Sequence, residues 1–204
     1  MSARIEHIET SGVFTLDGGS WDVDNNVWIV GDDEECLVID PAHDVDAIVQ
    51  QVGERRVVAI VLTHGHDDHV SEALEAASRL TTSTYLNPAD LALWHRAHPD
   101  HSPTHELWDG DTIAVAGLTV EAIHTPGHTP GSTCLFIREG LDTPVLFSGD
   151  TLFQGGPGAT GRSFSNERVI KDSIRRRLLT LPAGTVVYTG HGPTTSVRDE
   201  SASL

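Results

Sequence analysis

Apolar residues fall in short runs separated by Gly, Pro and Asp breaks, and the runs follow two different periods. Continuous or alternating apolar stretches predict strands over 26–30, 36–40, 57–63, 83–87, 112–115, 118–124, 133–138, 144–148 and 185–189. Stretches with helical spacing predict helices over 44–52, 70–80, 88–97 and 166–181. Asp44 suits an N-cap and Pro88 a first helical turn. Residues 57–62, all aliphatic, read as a strand buried on both faces. Two early strands, an αβ alternation, further hairpin strands and a final helix and strand predict sheets covered by helices, with long loops at one edge. No composition break or repeat interrupts the pattern, so one α/β domain over residues 1–204 is expected.

Composition narrows this picture. With 38% hydrophobic and 21% charged residues the chain is globular rather than disordered. The aliphatic run 57–62 is far shorter than the ~20 residues a membrane helix needs. The first residues lack the apolar core of a signal peptide, and Cys36 and Cys134 both lie in apolar runs. No disulfide framework and a cytoplasmic, reducing location are the expectation. Thirteen Lys+Arg against 30 Asp+Glu leave a net charge of −17, which disfavours nucleic acid as a partner. The basic run Arg175-Arg176-Arg177 reads as a solvated helix end. The 12 histidines are the feature that needs a chemical reason.

The strongest signal is Thr63-His64-Gly65-His66-Asp67-Asp68-His69, between the buried strand and a predicted helix. On an extended chain His64 and His66 point to one side, while Asp68 and His69 approach from the turn entering the helix. One loop thus offers two ligand pairs, enough to begin two adjacent metal sites. Three later residues each follow a strand signal: His128 in Thr125-Pro126-Gly127-His128, Asp150 in Phe147-Ser148-Gly149-Asp150, and His191 in Tyr188-Thr189-Gly190-His191. Five His and two Asp at strand ends are the donor count for two ions that share a carboxylate. The remaining histidines read as polar surface residues: His95, His98, His101 and His105 in a loop, and His7, His43 and His124 elsewhere.

In the order and spacing of these motifs the chain resembles the metallo-β-lactamase fold superfamily, from about residue 26 to His191. The resemblance implies a four-layer αββα sandwich with the site at one edge between two sheets. It implies one metal on His64, His66 and His128, a second on Asp68, His69 and His191, and Asp150 bridging them. Asp40 matches a carboxylate that supports the ligands without touching metal. Within the superfamily the chain is most similar to the glyoxalase II group of thioester hydrolases, in a form without the C-terminal helical domain. Two divalent ions are implied, zinc first, with iron or manganese as alternatives.

Such a pair can supply a hydroxide at neutral pH and hold the developing oxyanion. A thiolate leaves without a proton, and Asp68 is the one acid at hand to assist proton transfer, so a small-molecule thioester is the expected substrate. The carrier thiol is glutathione, mycothiol or a relative. Arg162, after the glycine-rich stretch 155–161, is a candidate to pair with a substrate carboxylate. Two other readings stand beside this one: a mononuclear iron persulfide dioxygenase using His64, His128 and Asp150, and a non-enzymatic metal- or thiol-binding module.

Overall fold

The computed structural model describes residues 2–202. The chain opens with a long hairpin in which β1 (Arg4–Leu16) pairs antiparallel with β2 (Gly19–Gly31). β3 (Glu35–Ile39), β4 (Arg56–Val61), β5 (Thr84–Leu86) and β6 (His105–Glu106) extend that sheet in sequence order. From β3 onward the neighbours are parallel, so the chain must cross over between strands. It does so through α1 (Val45–Val52), α2 (Asp67–Val70), α3 (Ala73–Leu80) and α4 (Leu91–Ala97). Asp44 caps α1 by accepting from Ala47 N at 3.0 Å, and Pro88 opens the 3₁₀ turn before α4, both as the sequence predicts.

The second sheet contains β7 (Thr112–Val115), β8 (Leu118–His124), β9 (Thr133–Ile137), β10 (Val145–Gly149), β13 (Val186–Thr189) and β14 (Thr195–Ser196). Their order across the sheet is β14-β13-β10-β9-β8-β7. A separate two-stranded ribbon, β11 (Leu152–Phe153) with β12 (Gly156–Pro157), precedes α5 (Glu167–Ser173), and α6 (Val197–Ser201) closes the described chain.

Strand alternation sorts the apolar side chains into three buried layers. Val27 and Ile29 of β2 pack with Ile48, Ala76 and Trp94 of the helices. Trp28 and Val30, one residue out of phase, face the second sheet and meet Leu135, Val145 and Phe147. Phe136 and Leu146 point away to Ile170 and Ile174 beside the last helices. The result is the four-layer αββα sandwich. Each fully buried Val, Leu, Ile or Phe contributes about 1.5–3 kcal/mol relative to exposure.

Several elements differ from the sequence reading. The helix expected over 70–80 is two, because Asp67 and Asp68 start a separate turn at α2, where acidic side chains suit the N-terminal dipole. The helix expected over 166–181 is regular only to Ser173 and then widens into a π-turn, Ile174–Leu178, which carries the arginine run. As expected of a solvated end, Arg175, Arg176 and Arg177 are all exposed, and Arg177 makes a surface ion pair with Asp109 at 2.7 Å. β1 was not predicted, because Ile5, Ile8 and Val13 do not keep a period of two. His98 is buried, not a solvated loop residue: its ring packs on Trp94 and its Nε2 lies 2.7 Å from the Val70 carbonyl. Cys36 and Cys134 are free and buried, and no helix among the described residues is long and apolar enough to cross a membrane.

Candidate metal centre

All seven acidic and imidazole residues singled out at strand ends converge at one edge of the two sheets. His64 and His66 leave β4, Asp68 and His69 sit on α2, and His128 follows β8. Asp150 follows β10, and His191 follows β13. His66 Nδ1 lies 3.1 Å from His64 Nε2 and 3.0 Å from His128 Nε2. On the other side His69 Nε2 lies 3.3 Å from His191 Nε2, with Asp68 Oδ2 3.5 and 3.4 Å from the two. Asp150 stands between the clusters, its Oδ2 3.5 Å from His128 Nε2 and 3.4 Å from His191 Nε2.

The protonation pattern is legible in the outward-facing ring atoms. His69 Nδ1 lies 2.9 Å from Asp40 Oδ2, His128 Nδ1 2.9 Å from the Ala159 carbonyl, and His191 Nδ1 2.6 Å from the Asp24 carbonyl. Each of these acceptors requires an N–H donor at Nδ1, which leaves a lone pair at Nε2 in the neutral ring. His64 Nδ1 donates likewise to Thr63 Oγ1 at 3.0 Å, because the Thr63 hydroxyl is itself committed to Asp40. In the first cluster, three ring nitrogens therefore face one point with too few protons to share. A cation relieves that lone-pair repulsion, and the spacing approaches the ~3.3 Å edge of a zinc tetrahedron with Zn–N bonds of ~2.0–2.1 Å. The donor set fits divalent metal.

Charge differs between the two clusters. Burial, with His69 and His66 nearby, holds His64 well below its ordinary pKa, and burial with His128 pushes His66 down to about 3. Burial opposes charge on His69 too, but Asp68, Asp40 and Asp150 outweigh it and push it up to about 9. His191 is likewise pushed up to about 11, chiefly by Asp150 and Asp68 against its burial. Burial would raise Asp150, yet His191, His69 and His128 hold it well below the carboxylate range.

Four supporting residues escaped the sequence reading. Asp90, fully buried, accepts from Gly65 N at 2.8 Å, Thr129 Oγ1 at 2.6 Å and Gly131 N at 2.6 Å. It thereby ties the His64–His66 loop to the His128 loop. Asn26 bonds the Thr189 and Gly192 carbonyls at 3.0 and 2.9 Å, seating the His191 loop. Asn25 reaches Asp68 Oδ2 at 3.2 Å, and His43 reaches Asn25 Oδ1 at 2.9 Å. Three short polar residues, Asp24-Asn25-Asn26, directly before a buried apolar strand were the available signal. Gly190 matters by its size, since a Cβ there would collide with Asp150 Oδ1 and crowd the His69 ring.

Above the cluster lies an open cleft of about 450 Å³, lined by Phe14, Asp24, Asp68, Asp150, Arg162 and His191 among others. The β1–β2 hairpin forms one wall: Phe14 packs on His66, and Asp67 anchors Thr15 through its backbone N and hydroxyl. The glycine-rich stretch faces it. Arg162 stacks 3.9 Å over the Trp21 ring and 5.6 Å over that of Phe14. Asp40 directly follows β3, beside the cluster. At φ 49 it turns back to accept from Thr63 N and Oγ1 and from His69.

A family model described as the metallo-beta-lactamase superfamily matches residues 21–191. The chain is 33% identical over 189 residues to the probable metallo-hydrolase YqgX of Bacillus subtilis, covering 86% of this chain and 88% of that protein. It is 32% identical over 171 residues to the hydroxyacylglutathione hydrolase of Salmonella arizonae, with 82% of this chain and 62% of that enzyme covered. The chain thus spans less than two thirds of that relative. Among solved structures it is similar to TTHA1623 in a di-iron-bound form, with TM-score 0.76, 31% identity, and 89% and 94% of the two chains covered.

Proposed function

The chain belongs to the metallo-beta-lactamase superfamily, and from that membership we propose that it is a metal-dependent hydrolase of acyl-thiol thioesters, similar in reaction to glyoxalase II. The observation that carries the reading is the meeting of two three-residue donor clusters at Asp150. His64, His66 and His128 would hold one divalent ion; Asp68, His69 and His191 would hold a second; Asp150 would touch both. Zinc suits the imidazole-rich donors, and iron or manganese suits the added carboxylates. Two such ions supply a hydroxide at neutral pH and a Lewis acid for the acyl oxygen.

The chain's own residues do the rest. Asp40, Ala159 and Asp24 hold His69, His128 and His191 in the orientation that leaves Nε2 free. Asp68 keeps a buried Oδ1 without a hydrogen-bond partner, the position from which a carboxylate can take or return a proton at the reacting centre. Arg162 borders the cleft with its guanidinium over the Trp21 ring, where it can pair with a substrate carboxylate. Among the described residues, the cleft lining holds no Lys, Tyr or Cys that could hand a proton to a leaving group. A thiolate tolerates that, and an amine does not.

The test is a matched pair, an S-acyl thiol and its N-acyl analogue, assayed with zinc-, manganese- and iron-loaded protein. The thioester should be favoured in kcat/KM by at least about 100-fold, the usual worth of a general acid. Comparable values for the pair would sink the leaving-group argument. Oxygen uptake with a persulfide and no thioester turnover would transfer the case to an iron dioxygenase.

A further inference from the structure

Of the histidines outside the cluster, His43 connects to it most directly. Its backbone lies in the left-handed region at φ 57, just past the end of β3, and this sets the ring against Gly12 of β1. Only a glycine leaves room for the ring there, since a Cβ would overlap Nδ1. The opposite nitrogen, Nε2, lies 2.9 Å from Asn25 Oδ1. Asn25 is completely buried in β2. Its Nδ2 lies 3.2 Å from the Asp68 carbonyl, 3.2 Å from Asp68 Oδ2 and 3.3 Å from His69 Nε2.

A carboxamide has one accepting end and one donating end. The two Asp68 oxygens can only accept, so the NH2 must face them, and Oδ1 is left to accept from the Nε2–H of His43. The flipped amide would set an oxygen against the Asp68 carbonyl and carboxylate, which is costly in a buried site. The amide holds Asp68 by Oδ2, the same oxygen that faces His69 and His191. Oδ1 has no hydrogen-bond partner. The amide therefore sets the rotation of the Asp68 carboxylate. Neither His43 nor Asn25 hydrogen-bonds His64, His66 or His128, whose nitrogens meet Thr63, Ala159 and one another.

We propose that His43 and Asn25 are a paired positioning device for the second cluster: His43 anchors the Asn25 amide by its Oδ1, and the amide aims Asp68 at the cation that His69 and His191 would share with it. The pair acts through Asp68 and touches no substrate. This rests on the two-ion reading given above, and its effect is one-sided, strengthening one cation site and leaving the other alone.

The experiment strips the full chain with a chelator and titrates it with Co²⁺, followed by its visible absorption, and with Zn²⁺ in competition against a chromophoric chelator. The variants are N25L, H43F and H43Q. N25L and H43F should weaken the second ion by about 10- to 100-fold, the range expected for partners one step behind a ligand, with the first ion unchanged. H43Q, whose amide N–H can still donate to Asn25 Oδ1, should recover most of the loss. Circular dichroism of each stripped variant reports folding. If N25L does not fold, H43F, whose ring fills the same space, gives the same reading. Wild-type affinity for both ions in folded N25L or H43F overturns the proposal, and so does equal weakening of both ions. Uptake of a single ion by the unaltered chain overturns it as well. An unaltered chain that takes two ions and cleaves no thioester sinks the proposed reaction and leaves this inference standing.

Discussion

The two clusters that face each other across Asp150 are built from different chemistry. His64, His66 and His128 bring imidazole alone, all three rings are buried, and burial keeps His64 and His66 neutral. Asp68, His69 and His191 mix carboxylate with imidazole, and His191 keeps about a quarter of its side chain exposed. Around them Asp68 and Asp150 favour protons on both His69 and His191, and Asp40 does so on His69. The braces differ as well. Asp90 ties the loops of the first cluster to each other through backbone N–H groups, whereas Asn25, Asn26 and Asp24 reach the second from the middle of β2. Burial thus prepares one cluster as a ready set of lone pairs, and acidic neighbours prepare the other as a site that must exchange protons for a cation.

The largest expected effect comes from erasing the element the clusters share. Asp150→Ala should lower the content of both ions and cut thioester turnover by more than about 100-fold, since removing a ligand should exceed the ~10–100-fold cost of losing an outer partner. Elemental analysis together with kcat/KM measures it, and full metal content with full activity would falsify the bridging role.

Breaking one side alone comes next. His128→Ala and His191→Ala should each leave close to one ion per chain, on opposite sides of Asp150. Loss of both ions in both variants would show that the two clusters do not fill independently.

A pH series sharpens the contrast without mutation. His64 and His66 lie below their ordinary pKa values, so near neutral pH they have no proton to release. His69 and His191, raised to about 9 and about 11, remain protonated in the ion-free protein, and a cation must expel those protons. Apparent affinity at the second cluster should therefore fall as pH drops from about 9 to about 6, by up to about tenfold per unit for each proton released. The first cluster should respond less. Calorimetric titration in buffers of different ionisation enthalpy counts the protons, and equal release at both steps contradicts the assignment.

The smallest effect lies outside both clusters. Arg162→Ala should raise KM roughly tenfold for thioesters carrying a carboxylate and change kcat little, as expected when binding is lost equally in ground and transition states. Unchanged KM on every carboxylate-bearing thioester removes Arg162 from recognition.

Local spacing carried much of this molecule. Residues 57–62 announced a buried strand, and the His64–His69 loop, His128, Asp150 and His191 stood out because each follows an apolar run. Their side chains are placed by strand period and tight turns, which are local properties of the chain. The strand expected over 26–30 is the second half of β2, but β1 and the first half of β2 did not show, because their apolar positions drift between faces and the hairpin tip packs on residues far along the chain: Thr15 on Asp67, Asp17 on Ser163, Trp21 on Arg162.

The remaining braces were beyond local reading for the same reason. Asp90 acts on residues 25 and 41 positions away, and Asn26 on a carbonyl 163 positions away. His43 looked like any polar surface histidine until the sheet placed Asn25 beside it. Chain order and residue type thus picked out the candidate ligands, because donor capacity follows from their own chemistry and their grouping from the period of the strands. Which nitrogen each imidazole presents, which oxygen Asp68 offers and which cluster carries protons were settled only when the two sheets packed together. Those properties depend on hydrogen-bond partners and buried charges that lie far away in sequence and a few ångströms away in space.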